Sequence, residues 1–349
     1  MELASLFAQY HDAFAARYAD RLSPVQRQAI RAIRRCRTPQ AGELHVRCTG
    51  CDQGQFQPLS CGHRSCPKCQ NHEATRWLDR QRAKLLPVDY FMATFTLPAE
   101  LRPLAQRHQS DIYAMLFACA TSTLKDFGLN PKKLGADIGM TAVLHTHTRR
   151  LDYHPHVHVV VPGGGIDPRR RQWKKRRGKF LFNEFALAKV FRARFLDALN
   201  EAKLSIPIGV PDKWVVDCTH VGKGQPALEY LSRYLYRGVI SEKNIAANEQ
   251  GNVTFRYTEG RTGQTHIRTL KGEDFLWLVL QHVLPEGFRR VRDYGFLHGN
   301  AKKRLSLVQL VLQVVIASRA LRPRPVFKCP SCQSPMCVVA VIRPAWTFG

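Results

Sequence analysis

The stretch His154-Pro155-His156-Val157-His158-Val159-Val160-Val161 decides the fold. Histidine alternates with other residues, and an uninterrupted valine run follows. On a strand, alternate side chains share a face, so His154, His156 and His158 would line one side. The valines bury the far end and make the strand a rigid platform. Working outward, Gly139–Thr146 (GMTAVLHT) reads as a second strand, and the short polar link predicts an antiparallel hairpin. Val88–Leu97 (VDYFMATFTL) is β-branched and aromatic, ends at Pro98, and reads as a central strand. Shorter strands are expected at Trp214–Cys218 and Arg289–Tyr294, with a second hairpin from Val253–Tyr257 and His266–Leu270. Helical spacing covers 1–35 in two helices, then 72–86, 99–127, 183–202, 226–237, 272–283 and 303–318. The expected class is α+β: a central antiparallel sheet with flanking helices, plus an N-terminal helical and Cys-rich module. The expected domains are 1–87, 88–300 and 301–349.

The composition narrows the partner. The 349 residues carry 53 Lys+Arg against 27 Asp+Glu, a formal charge of +26, with 44% hydrophobic residues. That chain folds, and its charge calls for a polyanion, nucleic acid or an anionic membrane. The membrane reading fails, because the longest apolar run, Leu305 to Ser318, is broken by Ser306, Gln309 and Gln313. The N-terminus lacks the pattern of a signal peptide, so a cytoplasmic protein acting on DNA is expected.

Eleven cysteines in such a chain point to metal rather than disulfides. Cys48-x2-Cys51 and Cys66-x2-Cys69 have the paired-turn spacing of a zinc ribbon, and these four residues are the expected structural zinc site. Cys36, Cys61 and His63 stay unassigned. Cys329-x2-Cys332 looks like half a ribbon, with no partner pair beyond Cys337. Cys119 and Cys218 read as small buried residues.

Tyr230 and Tyr234 are four apart and share a helix face, a spacing that by itself usually means packing. Beside a metal held by imidazoles the reading changes. A phenol can attack phosphorus where a cation polarises the scissile phosphate. Two or three imidazoles of His154, His156 and His158 would hold the cation, with His145 or His147 as a further source. The run Arg169, Arg170, Arg171, Gln172, Trp173, Lys174, Lys175, Arg176, Arg177 holds seven basic residues in nine. It reads as a loop that tracks phosphates, with Trp173 stacking on an unpaired base.

Seven stretches carry a resemblance: CRTPQAGELHVRCTGC, SCGHRSCPKCQ, ATFTLP, HPHVHVVVPGGG, EYLSRYLYRGVIS, FRYTEGRTGQ and LQHVLPEGFRRVRDYGFL. In this order they resemble the HUH-type, two-tyrosine rolling-circle transposases of the insertion-sequence-91 group, over nearly the whole chain. The resemblance implies an HUH endonuclease fold, with Mg²⁺ or Mn²⁺ on His156 and His158. It implies Tyr230 and Tyr234 as nucleophiles on single-stranded DNA at element ends and target, in a bacterial, nucleoid-associated protein. A plasmid replication initiator or relaxase would use the same chemistry. A non-catalytic zinc-ribbon DNA-binding protein would need neither His156 nor Tyr230.

Overall fold

The computed structural model describes residues 1–69, 71–226, 228–229, 239–260, 262–314 and 326–343. Its centre is a five-stranded antiparallel sheet in the order β12-β4-β5-β3-β8. These strands are β3 (Tyr90–Thr96), β4 (Met140–His147), β5 (Tyr153–Pro162), β8 (Val216–His220) and β12 (Val291–Tyr294). The histidine strand β5 is the middle one. β3 and β4 pair with both its edges, and its valines are buried by the residues packed on the two faces of the sheet.

One face of the sheet is the main core. Phe91, Ala93, Phe95, Val157, Val159 and Val161 pack against two long helices, Gln109–Leu129 and Glu184–Glu201. All six are fully buried, and Phe95 meets Phe191 edge-on at 5.0 Å. The expected single helix over 99–127 is broken at His108, whose backbone leaves helical geometry (φ −121°, ψ 48°). The opposite face carries Tyr90, Val143 and Val160, covered by Trp77, Leu228, Phe296 and Leu297.

The N-terminal helices Leu3–Gln9, His11–Tyr18 and Pro24–Arg35 do not form a core of their own. They share one with a second sheet, β9 (Ile245–Glu249), β10 (Asn252–Thr258) and β11 (Thr265–Lys271), and with helix Gly272–Leu280. Tyr18 stacks on Trp277 at 4.8 Å and donates to Asp274 at 2.5 Å. Ser23 and Gln26 form a reciprocal capping box that starts Pro24–Arg35 and so fixes where Cys36 falls at its end.

The last sheet joins the two ends of the chain. β1 (Glu43–Cys48) lies between β2 (Gly54–Pro58) and β13 (Met336–Ile342). No strand is expected from sequence over 336–342, because the tail reads there only as Cys-containing. The expected apolar helix over 303–318 stops at Val311, with Gln313 at φ +54° just beyond. No helix among the described residues is long and apolar enough to cross a membrane.

Candidate functional site

Register builds the imidazole site. Across β4 and β5, His145 stands opposite His156, while Val143 stands opposite His158. Directly opposed residues hold their side chains ~5 Å apart. The ligand atoms of His145, His156 and His158 all lie within 4.8 Å of one another. The ring centroids are 4.4 Å apart for His145–His158 and 4.8 Å for His156–His158.

His154 does not join them. Between His145 and His147 the register shifts, so His154 and Pro155 together oppose Thr146. Pro155 has no N–H for the ladder, and the irregularity falls at it. His154 instead accepts a 2.7 Å bond from Arg102. His147 turns towards His282, with ring centroids 5.1 Å apart. Three imidazoles do converge, as the sequence suggests, but the third comes from β4.

The rings suit a divalent cation. His156 donates from Nδ1 to the His154 carbonyl at 2.7 Å, and His158 Nδ1 lies 2.9 Å from Thr94 Oγ1. With both Nδ1 atoms engaged, each ring can ligate through Nε2, the second-shell arrangement common for metal-bound imidazoles. Burial pushes His145 and His156 well below the ordinary histidine value and brings His158 to about 4. The neutral, ligating form is therefore the one present near neutrality.

The segment expected to carry the nucleophiles approaches this same face. Gly224, at φ +82°, lies on the Tyr90 ring, where a Cβ would come within 2.6 Å of Tyr90 Cδ2. Only glycine suits both the left-handed turn and that contact. Leu228 then packs with Trp77, Val143 and Val160 on the histidine side of the sheet. Tyr230 and Tyr234 lie outside the described residues. Nearby, a cleft of ≈460 Å³ is lined by Arg64, Arg80, Lys84, Arg289 and Arg290 among others. Arg290 is a site candidate that sequence reasoning missed: it lies within the LQHVLPEGFRRVRDYGFL stretch, but nothing in that stretch singles it out.

The thiols correct the expected zinc site. Cys48, Cys51, Cys66 and Cys69 do not come together. Cys66 and Cys69 group with Cys36 and Cys61, whereas Cys48 and Cys51 group with Cys329 and Cys332. The reason is topological. The first pair sits at the turn between β1 and β2, and β13 brings the tail beside it. The second pair folds back under the end of helix Pro24–Arg35. In the first group Cys36 and Cys61 lie 3.4 and 3.5 Å from Cys69. Hydrogen bonds from Cys61 and Cys66 drive the Cys69 thiol strongly down, towards the thiolate a metal takes. His63 is not in either group; its Nδ1 accepts from the Ser65 amide at 3.1 Å. Cys119 and Cys218 are buried, as expected.

Trp173 also departs from expectation. It lies in β7 (Trp173–Lys175), paired with β6 (Gly164–Ile166), and its ring packs 5.9 Å from Phe296. A Cβ on Gly164 would sit 2.5 Å from the indole, so the glycine turn makes room for it. The ring is used in packing rather than offered to a base. Arg169, Arg170, Arg171, Lys174, Lys175 and Arg177 are exposed, while Arg176 donates to the Phe180 carbonyl at 2.7 Å. Several basic residues near the cysteines are tied inward too: Lys68 to Glu2 at 2.6 Å and Lys84 to Asp293 at 2.6 Å.

Comparison with known proteins supplies the class. Residues 139–304 match the family described as "Putative transposase", and residues 6–97 match the "Transposase zinc-binding domain". The chain is 35% identical over 331 residues to "Putative transposase y4qJ" of Sinorhizobium fredii, covering 88% of this chain and 83% of that one. It is 27% identical over 297 residues to the transposase for insertion sequence element IS801 of Pseudomonas savastanoi pv. phaseolicola, covering 79% and 71%. Among solved structures, the conjugative relaxase TrwC bound to a 27-mer DNA aligns over 65% of this chain and 75% of that one, at 15% identity and a TM-score of 0.29. The protein is a transposase, an enzyme whose partner is DNA. The chain belongs to the family of transposases that carry the insertion-sequence-91 zinc-binding domain.

Proposed function

We propose that this transposase nicks single-stranded DNA at element ends and transfers the strand through a 5′-phosphotyrosine, with Tyr230 and Tyr234 as the nucleophiles. The observation that carries the proposal is the convergence of His145, His156 and His158 on the sheet face that the Gly224–Leu228 segment enters. These three residues would hold the catalytic cation. Bound Mg²⁺ or Mn²⁺ supplies charge to polarise the scissile phosphate and to stabilise the departing oxyanion. A tyrosine Oη attacks phosphorus, the P–O3′ bond breaks, and the released 3′ oxygen takes up a proton. One phosphoester replaces another, so no nucleotide triphosphate is needed. The second tyrosine repeats the exchange at the other end or at the target. Arg289 and Arg290 line the neighbouring cleft, where a phosphate backbone would run.

The exposed charges of Arg169, Arg170, Arg171, Lys174, Lys175 and Arg177 are assigned to strand tracking away from the chemistry. They follow the far end of β5, ~20 Å along the strand from His156 at ~3.3 Å per residue. Cys36, Cys61, Cys66 and Cys69 are assigned as a structural zinc site, all four within the matched zinc-binding domain.

The test uses labelled single-stranded and hairpin DNA that includes sequence flanking the gene, with Mn²⁺ or EDTA, resolved on a denaturing gel. A metal-dependent covalent adduct is expected, absent in the Tyr230→Phe/Tyr234→Phe and His156→Ala variants. An adduct that persists in the double tyrosine variant would overturn the assignment.

A further inference from the structure

We infer that Cys48, Cys51, Cys329 and Cys332 form a second zinc site, and that this metal clasps the C-terminal strand onto the N-terminal ribbon. The inference does not rest on the nicking chemistry. Two of its four ligands lie far outside residues 6–97, the span matched by the zinc-binding domain.

The geometry is that of a closed four-thiolate site. Cys48 Sγ lies 3.3 Å from Cys332 Sγ, and Cys51 Sγ lies 3.6 Å from both Cys329 and Cys332. Four thiolates at ~2.3 Å from a tetrahedral zinc sit about 3.8 Å apart, so a small expansion admits the ion. The amides of Gly50 and Cys51 point at Cys48 Sγ, at 3.3 and 3.4 Å, and hold its sulfur in place.

The two Cys-x2-Cys turns are fitted to each other. A Cβ on Gly50 would sit 2.6 Å from Ser334 Oγ and 3.5 Å from Cys332 Sγ. The amide and hydroxyl of Thr49 both donate to the Pro335 carbonyl, at 3.1 and 2.9 Å. The second turn is closed by the Lys328–Pro335 bridge and by Cys329 N–H donating to Ser334 O at 2.9 Å. From there β13 pairs with β1, Cys48 opposite Met336.

The apolar support is small. The buried residues here are Val46, Cys48, Cys329 and Met336, with Leu44 beside them. Beyond Met336, β13 is exposed on both faces, including Val338, Val339, Val341 and Ile342. So small a core does not hold a three-stranded sheet by itself, and small folds of this kind depend on a metal or another staple. An all-sulfur tetrahedral donor set with every position filled by protein suits zinc in a structural role.

The test measures metal content of the full-length protein by mass spectrometry, with absorption of the Co²⁺-substituted form as a second readout. Two zinc ions per chain are expected. Cys51 and Cys332 are exposed, so Cys51→Ser and Cys332→Ser leave the core packing alone. Each variant should fall to one zinc and lose about half of the thiolate-to-cobalt absorption. Cys337→Ser should keep both ions, because Cys337 stands outside the cluster on β13. Cys36→Ser should remove the other ion only, which separates failure of that site from failure of this one. Two ions retained in Cys332→Ser, or zinc lost in Cys337→Ser but not in Cys332→Ser, would overturn the inference.

Discussion

The imidazole site and the thiolate clasp are built by opposite rules. His145, His156 and His158 come from one hairpin, and two fully buried phenylalanines of the neighbouring strand, Phe91 and Phe95, help to anchor the sheet beneath them. Their positions follow from register and need no ion. Cys51 and Cys332 are 281 residues apart, and very little apolar surface surrounds them. Closing so long a loop costs only slightly more entropy than closing a short one, so distance in sequence is no obstacle. What the clasp lacks is a core, and the proposed metal takes its place. One region is a scaffold that receives a cation; the other is a fold that a cation would complete.

The largest expected effect separates these two directly. Stripping zinc with a chelator should abolish hydrogen-exchange protection of β1, β2 and β13, because structural zinc supplies on the order of 10 kcal/mol of folding free energy. Protection in β3, β4 and β5 should remain. Loss of protection in both regions together would show a single cooperative unit and break the comparison.

Next in size is the choice of ligands within the sheet. His145→Ala should weaken Mn²⁺ binding by more than about 10²-fold, beyond the range seen when an outer-shell partner is lost. His154→Ala should leave it within about threefold, since His154 faces Arg102. Equal losses would return His154 to the site. Thr94→Val removes the group 2.9 Å from His158 Nδ1 and should weaken Mn²⁺ by about 10-fold with the fold intact. Calorimetric titration of each variant measures all three effects.

The same contrast explains what the sequence revealed. The β-branched and aromatic content of VDYFMATFTL, and the alternating histidines ahead of a valine run in HPHVHVVV, exposed the central strands, because a strand buried on both faces is apolar along its length. The hairpin placed His145 within reach of the histidine strand, but only the register shift at Pro155 shows that His154 leaves and His145 enters. The cysteines were visible as metal ligands and wrongly partitioned. Cys48-x2-Cys51 and Cys66-x2-Cys69 are adjacent in sequence, and spacing carries no record that β13 returns beside β1. The stranded pair at Cys329 and Cys332 was the available signal, since half a ribbon demands another half. Trp173 was misread for a similar reason. Seven charges marked the loop as exposed, while the glycines that admit its one aromatic ring lie a few residues earlier, in β6.

A smaller effect comes from acid. His282 is buried among Tyr153, His147 and Arg290, and donates from Nε2 to the Leu151 carbonyl at 2.9 Å. Burial holds it well below the ordinary value of 6.5. The unfolded chain therefore binds a proton that the folded chain refuses once pH falls below about 6.5, and stability declines from there downward. This ring contributes up to about 1.4 kcal/mol per pH unit. The urea midpoint should drop between pH 7.5 and 5.5, and His282→Asn should flatten that part of the profile. An unchanged slope in the variant would place the acid sensitivity elsewhere.

The smallest effect on chemistry belongs to the basic loop, because it follows the end of β5, ~20 Å along the strand from His156 and ~13 Å from His158 at ~3.3 Å per residue. Arg169, Arg170 and Arg171 are exposed on a turn whose first two amides donate to Asp167 Oδ1, at 2.9 and 3.0 Å. The Asp167 carboxylate shapes the backbone and leaves the guanidinium groups to solvent. Each phosphate contact on single-stranded DNA contributes about −0.7 to the slope of log K against log salt. Replacing all three by Ala should flatten that slope by up to about 2 while leaving the yield of adduct at saturating DNA unchanged. The expectation separates binding from chemistry. A slope that does not move removes the loop from the DNA path. A lost adduct at saturating DNA would mean that the far end of β5 reaches the reacting phosphate, contrary to the separation that the strand imposes.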